Sequence, residues 1–292
     1  MKILVLGATG LLGNSMFRVL SQAGVHEVFG TIRNEAAKDF FIPEIATQLI
    51  TVESLENESE LRRLLALVRP HAVINCTAFP RGSAEDFRKM MSVYSILPRR
   101  LEILCRASHV RLIHFSSDGV FNGSRGRYTE SDIPDANDSY GILKMLGEVE
   151  GPGAITLRTS VIGHELSMQK GLVEWFLSQN VACRCYTKAI FSGLPAIALA
   201  KLTLDFILPS VELQGIYHVA SQAISKFDLL SLVGSTYGKQ TEIIPDDTVV
   251  IDRSLLSNRL HESTGYKAPP WPSLIKDMYE YKFGLRGSDV YQ

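Results

Sequence analysis

Short apolar runs alternate with amphipathic segments through the first 160 residues. The runs suit buried strands, and the intervening stretches repeat apolar side chains every three or four positions, as helices do. The predicted strands are Lys2–Leu6, His26–Thr31, Leu49–Val52, His71–Cys76, Val110–Phe115 and Ala154–Thr159. The predicted helices are Leu11–Gln22, Glu58–Val68, one or more within Ala84–Ala107, and Asp138–Glu150. Strands that alternate with helices indicate βαβ units, and right-handed crossovers then give an α/β fold with a doubly wound parallel sheet.

The alternation weakens after residue 160. Helical patterns cover Gly171–Leu177, Ala196–Leu208 and Lys226–Tyr237, and Gly215–Val219 resembles a strand. There is no internal repeat and no Gly/Ser-rich linker. We therefore predict a first domain over residues 1–160 and a smaller α+β domain over residues 161–292, interleaved with the first.

The composition is that of a globular protein and does not indicate a specific function. Hydrophobic residues make up 46% of the chain, charged residues make up 21%, and the formal net charge is −1. This balance suggests neither nucleic acid nor a basic protein as a partner. No run approaches the roughly 18–20 apolar residues of a membrane span. Of the four cysteines only Cys183-x-Cys185 is a close pair, so we expect reduced thiols, no metal and a cytoplasmic protein.

A glycine-rich turn follows the first predicted strand and opens the first predicted helix. Its sequence is Gly7-Ala8-Thr9-Gly10-Leu11-Leu12-Gly13. Glycines at this spacing allow a tight turn, close approach of a pyrophosphate and close helix–strand packing. The amide groups of the helix N-terminus then face the anion. We predict that Gly7, Thr9, Gly10, Leu11, Leu12 and Gly13 bind a dinucleotide, the alternative being a purely structural turn.

The end of the second strand bears on the choice of cofactor. An NAD site usually places Asp or Glu about twenty residues after the glycines, on the ribose hydroxyl. This chain has Arg33 near that position. Because a guanidinium suits a phosphate, we expect NADP(H) in preference to NAD(H), the alternative being a solvated arginine.

Tyr140 and Lys144 are four residues apart on one face of a predicted helix. A nearby ammonium favours the ionised form of a phenol, which suits acid–base chemistry. The fifth strand leads directly into Ser116-Ser117-Asp118, at the edge where doubly wound sheets bind ligands. Ser117 is therefore the candidate to bind a substrate carbonyl. A chance surface pair and ordinary turn chemistry are the respective alternatives.

The fourth predicted strand ends at the same edge, in Asn75-Cys76-Thr77-Ala78. Small side chains there would let a cofactor lie close to the sheet. We therefore add Asn75, Thr77 and Ala78, with Tyr140 and Lys144, to the candidate cofactor contacts.

These motifs resemble the extended short-chain dehydrogenase/reductase family, and within it the dTDP-4-dehydrorhamnose reductase-like branch. The matching segments are Gly7–Gly13, Asn75–Ala78, Ser116–Phe121, Tyr140-x-x-x-Lys144, Leu157–Ser160, Tyr128–Pro134, Gly215–Val219 and Thr264–Lys267. The resemblance implies a Rossmann cofactor domain joined to a smaller sugar-nucleotide domain. It also implies hydride transfer to the 4-keto carbon of a nucleotide-linked deoxysugar in polysaccharide biosynthesis.

The resemblance assigns roles to the candidate residues. Tyr140 would protonate the oxyanion, Lys144 would hold the nicotinamide ribose, and Ser117 would bind the carbonyl together with Asp118 and Gly119 as substrate contacts. Gly119 stands where the branch usually has Tyr. Two further departures are Glu53, in place of an Asp that contacts adenine, and the absence of the late substrate motif from Tyr186–Leu194.

Three functions remain open at this point. The leading hypothesis is an NADPH-dependent reductase of a nucleotide sugar. The alternatives are a sugar-nucleotide epimerase and a non-catalytic NADP-binding regulatory subunit of the same fold, because fold alone does not fix function. A homodimer is compatible with the sequence.

Overall fold

The computed structural model describes residues 1–79, 87–166 and 171–284. The first six strands are β1 (Lys2–Leu6), β2 (Glu27–Ile32), β3 (Leu49–Thr51), β4 (Ala72–Asn75), β5 (Arg111–Phe115) and β6 (Ala154–Arg158). The first six helices are α1 (Leu11–Gln22), α2 (Pro43–Ala46), α3 (Glu58–Val68), α4 (Phe87–Met91), α5 (Leu97–Ala107) and α6 (Ser139–Leu146). Glu35–Phe40 and Asp118–Val120 form 3₁₀ helices, and Ser92–Ile96 is π-helical.

The later elements are shorter. The strands are β7 (Val161–Ile162), β8 (Ala182–Tyr186), β9 (Ala189–Phe191), β10 (Leu194–Pro195), β11 (Gly215–His218), β12 (Ile224–Ser225), β13 (Glu242–Asp246) and β14 (Ile251–Asp252). The helices are α7 (Leu172–Ser178), α8 (Ala196–Leu202), α9 (Lys226–Tyr237), α10 (Asn258–Thr264) and α11 (Trp271–Gly284). Thr203–Ile207 continues α8 as a π-helix.

Seven strands of the described chain form the main sheet, in the order β3-β2-β1-β4-β5-β6-β11. All neighbouring pairs in this sheet are parallel. The strand order reverses between β1 and β4, which creates the crevice where doubly wound sheets bind ligands. The predicted doubly wound α/β fold is therefore confirmed.

Side-chain alternation along β1 shows how the sheet is covered on both faces. Ile3 and Val5 lie in a hydrophobic cluster with residues of α1 and α8, whereas Leu4 and Leu6 lie in a second cluster with residues of α3 and α5. Successive strand residues point to opposite faces, so a strand buried on both sides has an uninterrupted apolar sequence. This is the pattern from which the strand was predicted.

The second half of the chain contributes a strand to the main sheet. β11 pairs with β6 and so extends the main sheet. The smaller pairings are β8 with β13, β7 with β10, and β9 with both β12 and β14. The predicted domain boundary at residue 160 stays a prediction. None of the helices in the described chain has the length and apolar character to cross a membrane.

Several predicted bounds differ from the structure in informative ways. The helix predicted over Asp138–Glu150 covers Ser139–Leu146, because Asp138 is its N-cap and Gly147 follows its last turn. The helix predicted over Ala196–Leu208 becomes π-helical at Thr203. The first residues of the predicted helical stretch Ala84–Ala107 lie outside the described residues.

Candidate active site

The glycine-rich turn connects β1 to α1 at the carboxyl edge of the sheet. Gly7 has a φ of +79°, and its amide donates to the Thr31 hydroxyl at 2.9 Å. A Cβ on Gly13 would lie 2.0 Å from the Gly7 carbonyl oxygen, so only glycine fits this close approach. Gly10 is the N-cap of α1, with no side-chain cap and no acidic residue in the first turn. The N-terminus of α1 thus keeps the electrostatic character that favours an anion.

The end of β4 lies against this turn. A Cβ on Gly7 would lie 3.3 Å from both the Cys76 carbonyl oxygen and the Thr77 Cα. The Asn75 Oδ1 atom accepts hydrogen bonds from the Thr77 hydroxyl at 2.6 Å and from the Thr77 amide at 3.2 Å. Ala78 follows and is exposed. The structure therefore brings two of the sequence-predicted cofactor segments together at the crevice.

Arg33 and Glu53 lie just after the second and third strands. Both are exposed. Within the described part of the chain, Arg33 makes no hydrogen bond or ion pair. Its guanidinium is therefore not engaged by a carboxylate that would compete with a phosphate.

Ser117 and Tyr140 meet over Gly119. A Cβ on Gly119 would lie 3.2 Å from the Ser117 Oγ atom and 3.1 Å from Cε1 of the Tyr140 ring. Ser117 is the N-cap of a 3₁₀ turn, where its Oγ atom accepts from the Gly119 amide at 3.0 Å and donates to Asp118 at 3.2 Å. Ser117 and the ring of Tyr140 therefore both border the space beside Gly119.

Lys144 is buried behind this pair. Its Nζ atom donates to the Phe115 carbonyl at 2.6 Å and lies 5.3 Å from the centre of the Tyr94 ring. The Tyr94 ring is in turn packed edge-on against Tyr140, with 5.3 Å between the ring centres. Tyr94 thus contacts both of the helical residues that the sequence places on one face. Sequence reasoning missed this tyrosine because its position depends on helix packing.

A cleft of about 420 Å³ opens over these residues. Its lining combines the predicted Ser117, Asp118, Gly119 and Tyr140 with residues that were not predicted, namely Phe79, Met90, Tyr94, Asp138, Ser160, Ile190, Phe191, Lys226, Ile251 and Arg253. The two cationic side chains of the cleft, Lys226 and Arg253, come from the second half of the chain. Ile190 and Phe191 come from the segment Tyr186–Leu194, in which no substrate motif is recognisable. No local pattern marks these residues, since only the fold brings them to the cleft.

The histidine of β5, His114, is buried next to Asn75. The His114 Nδ1 atom lies 3.1 Å from the Asn75 side-chain nitrogen. Burial lowers the pKa of His114 well below its usual value, and the positive charge of Lys144 lowers it further. The ring is therefore neutral, and its Nδ1 atom accepts from the Asn75 amide.

His164 is placed neither in the cleft nor on the open surface. Its ring nitrogens lie 2.5 Å from Glu174 and 2.7 Å from the Tyr237 hydroxyl. This cluster packs on the side of α1 that faces α11. His164 lines a second pocket there and not the cleft beside Tyr140.

A buried ion pair supports the loop that carries Ser117. The Glu148 carboxylate receives two hydrogen bonds from Arg158, both at 2.8 Å, and a third from the Ser116 hydroxyl at 2.7 Å. The Glu148 and Arg158 side chains are only 6% and 3% exposed. Arg158 also approaches His218. The network connects the end of α6, β6 and the residue next to Ser117.

Two of the cysteines form a close pair in the second half of the chain. Cys183 and Cys185 are buried with their sulfur atoms 3.7 Å apart. Among residues 1–79, 87–166 and 171–284, no group of three or more histidine, cysteine or acidic side chains is arranged to hold a metal ion.

The family model for the RmlD substrate binding domain matches residues 1–281. The chain belongs to this family. Its place in the sugar-nucleotide reductase branch, expected from the motifs, is confirmed by this match.

Two curated relatives differ in kind. The probable low-salt glycan biosynthesis reductase Agl14 of Haloferax volcanii is 28% identical over 268 residues, which cover 87% of this chain and 84% of the relative. Methionine adenosyltransferase 2 subunit beta of Rattus norvegicus is 30% identical over 173 residues, covering 56% of this chain and 48% of that protein. One relative is named a reductase and the other a subunit.

Solved structures share the fold across nearly the whole chain. A hypothetical dTDP-4-dehydrorhamnose reductase from Sulfolobus tokodaii has a TM-score of 0.76 at 25% identity, covering 93% of this chain and 98% of that one. The Bacillus anthracis dTDP-4-dehydrorhamnose reductase, in complex with NADP, has a TM-score of 0.78 at 19% identity, with 96% and 99% covered. WbmG of Bordetella bronchiseptica, in complex with NAD, has a TM-score of 0.76 at 18% identity, with 98% and 95% covered.

Proposed function

We propose that this protein is an NADPH-dependent reductase that acts on the 4-keto group of a nucleotide-linked deoxysugar. The observation that carries the proposal is the meeting of Ser117 and Tyr140 over Gly119 in a cleft, with the ammonium of Lys144 buried behind them. A hydroxyl donor and a phenol that face one small volume suit the reduction of a carbonyl.

The crevice fits a nicotinamide dinucleotide. The turn at Gly7 is tight, Gly13 lets α1 lie against it, and no side chain occupies the N-cap of α1. The residues proposed to hold the cofactor are Gly7, Thr9, Gly10, Leu11, Leu12, Gly13, Arg33, Asn75, Thr77, Ala78, Tyr140 and Lys144. When bound, the cofactor supplies the hydride. The exposed Arg33 favours the 2′-phosphate of NADP(H) over NAD(H).

The remaining steps belong to the protein's own side chains. The Tyr140 hydroxyl delivers a proton to the oxygen of the reduced carbonyl. The Lys144 ammonium stabilises negative charge on that phenol as the proton leaves. Ser117 donates to the same carbonyl oxygen, for which its O–H turns from Asp118 toward the substrate. Each role requires only groups that already line or back the cleft.

The charges of the cleft support a nucleotide sugar as the substrate. Its volume of about 420 Å³ lies within the roughly 300–1,000 Å³ of small-molecule sites. Lys226 and Arg253 bring two positive charges to it, and a diphosphate is the group that pairs best with such cations. A 4-keto sugar placed at Tyr140 would carry its diphosphate toward them.

The test is NADPH oxidation, followed by the loss of NADPH absorbance, with a panel of 4-keto nucleotide sugars. We expect turnover with at least one member and none with the free sugars. The variant Arg33→Asp should weaken NADPH binding far more than NADH binding, because a carboxylate would then face the 2′-phosphate. Equal NADPH affinity in Arg33→Asp and wild type would refute the cofactor assignment.

A second candidate function is suggested by the methionine adenosyltransferase subunit among the relatives. In that case the protein would bind NADP(H) as a non-catalytic regulatory subunit. The presence of Ser117, Tyr140 and Lys144 around one cleft argues for catalysis instead. NADPH binding with no turnover across the whole substrate panel would favour the regulatory role.

A further inference from the structure

Asp138 makes two different contacts with its two carboxylate oxygens. Oδ1 accepts from the Gly141 amide at 2.8 Å and so caps α6, the helix of Tyr140. Oδ2 lies 3.2 Å from Nη2 of Arg253, on the side that faces the cleft. One residue therefore joins the start of the helix carrying Tyr140 to a cation from the second half of the chain.

The ion pair between Asp138 and Arg253 is weak enough for another anion to replace Asp138. The Asp138 side chain is 44% exposed and the Arg253 side chain 25%, and one N–O contact joins them. Partly exposed, single-contact pairs are weak. In addition, the Nε atom of Arg253 is buried and finds no hydrogen-bond partner among the described residues. Arg253 thus retains donor capacity that Asp138 does not use.

We propose that Asp138 sets the affinity of the cleft for its substrate by competing with the substrate's diphosphate for Arg253. The inference rests on the proposed function, because it takes the anion in the cleft to be the diphosphate of a nucleotide sugar. Phosphate oxygens engage a guanidinium through two parallel hydrogen bonds, a stronger arrangement than the single contact of Asp138. On binding, Arg253 passes from the carboxylate to the diphosphate, and Asp138 keeps its cap on α6.

The negative charge of Asp138 then lowers the affinity of the cleft for anions. A second carboxylate, that of Asp118, lines the same cleft and adds to the repulsion felt by a diphosphate. Lys226 offsets part of this charge from the other half of the molecule. A substrate with a diphosphate has to displace Asp138 from Arg253 when it binds. A ligand without a diphosphate does not compete for Arg253 and leaves the ion pair in place.

The variant Asp138→Asn separates the two roles. Asparagine is as good an N-cap as aspartate, so its side-chain oxygen still accepts from Gly141 and α6 remains capped. Its neutral amide no longer pairs with Arg253. We expect the affinity for UDP or dTDP, measured by calorimetry on the full chain, to rise about two- to fivefold, the size of a weak ion pair. The affinity for UMP should rise less, and the KM for the nucleotide sugar should fall.

Two further variants test the pairing with Arg253 and the cap on α6 separately. Arg253→Gln should weaken UDP binding, and in that background Asp138→Asn should bring little or no gain, because the contested cation is gone. Asp138→Ala removes the cap as well, so it should lower thermal stability where Asp138→Asn does not.

The outcomes separate this inference from the proposed function. If wild type binds UDP but Asp138→Asn binds it equally or more weakly, competition for Arg253 is refuted and the reductase proposal stands. If Asp138→Asn gains as much in the Arg253→Gln background as alone, the effect is not exchange of that pair and the inference fails. If wild type binds none of UDP, dTDP, GDP, CDP and ADP, the nucleotide-sugar substrate itself is refuted, and the inference with it.

Discussion

Replacement of Glu148 by glutamine should lower the stability of the folded chain, because Glu148 belongs to the buried ion pair next to the active-site loop. The substitution keeps the size of the side chain but removes the charge that balances Arg158, whose side chain is 3% exposed. An arginine left buried without its carboxylate costs about 3–5 kcal/mol. The Ser116 hydroxyl donates to Oε1 of Glu148 at 2.7 Å, and it keeps an oxygen acceptor only if the glutamine oxygen takes that position. The glutamine nitrogen would then face Nη2 of Arg158, a second donor.

The size of the effect on melting follows from the chain length. With an unfolding entropy of about 2.1 cal/mol/K per residue, a loss of about 3–5 kcal/mol lowers the melting temperature of this chain by about 5–8 °C. Thermal unfolding followed by circular dichroism measures this directly. A matched control is Glu58→Gln, which breaks the exposed pair with Arg62. That change should cost at most about 0.5 kcal/mol, or less than about 1 °C.

Two results would refute the reasoning behind Glu148→Gln. One is a melting temperature that equals the wild-type value. The other is an equal shift in Glu148→Gln and Glu58→Gln, because burial would then have no bearing on the strength of the pair. If the buried charge is the cause, replacing Glu148 and Arg158 together by apolar residues of similar size should be less harmful than Glu148→Gln alone.

Two further predictions concern the glycine turn and the pH dependence. Gly13→Ala should lower both thermal stability and NADPH affinity, because its Cβ would lie 2.0 Å from the Gly7 carbonyl oxygen. Gly10→Ala has 3.5 Å to the nearest atom and loses only the N-cap preference for glycine over alanine, so it should lower the melting temperature far less. Equal melting of both variants would contradict this. Burial and the charge of Arg158 lower the pKa of His218 to about 3, so the unfolded chain binds a proton that the folded chain does not. The free energy of unfolding should therefore fall as the pH drops from about 6.5 toward 3, by up to about 1.4 kcal/mol per pH unit from this group, and denaturant titrations should show a smaller slope in His218→Gln.

The first half of the molecule could be predicted well because its rules are local. The uninterrupted apolar sequence of β1 and the glycines after it specify a buried strand and a tight turn within a dozen residues. Asn75 and Ser117 were predicted to lie at one edge because parallel strands end at the same side of the sheet. The structure places the strands that lead to them, β4 and β5, side by side.

The second half of the cleft could not be predicted because its residues meet only through long-range packing. Lys226 begins the helix α9 and Arg253 follows the strand β14, and nothing in the sequence near them indicates a binding site. Phe191 belongs to a three-residue strand that is paired on both sides by strands from later in the chain. The contacts of His164 with Glu174 and Tyr237 could not be predicted either, because the three residues come from separate segments of the chain.

The central claim is that the Tyr140 hydroxyl supplies the proton when a nucleotide-linked 4-keto sugar is reduced. The most direct test compares NADPH oxidation by wild type and Tyr140→Phe with the substrate that wild type turns over, alongside NADPH binding by both proteins. The account predicts that Tyr140→Phe binds NADPH normally but loses about 10²- to 10⁴-fold in kcat, the usual contribution of a positioned acid. Turnover by Tyr140→Phe at the wild-type rate would contradict it.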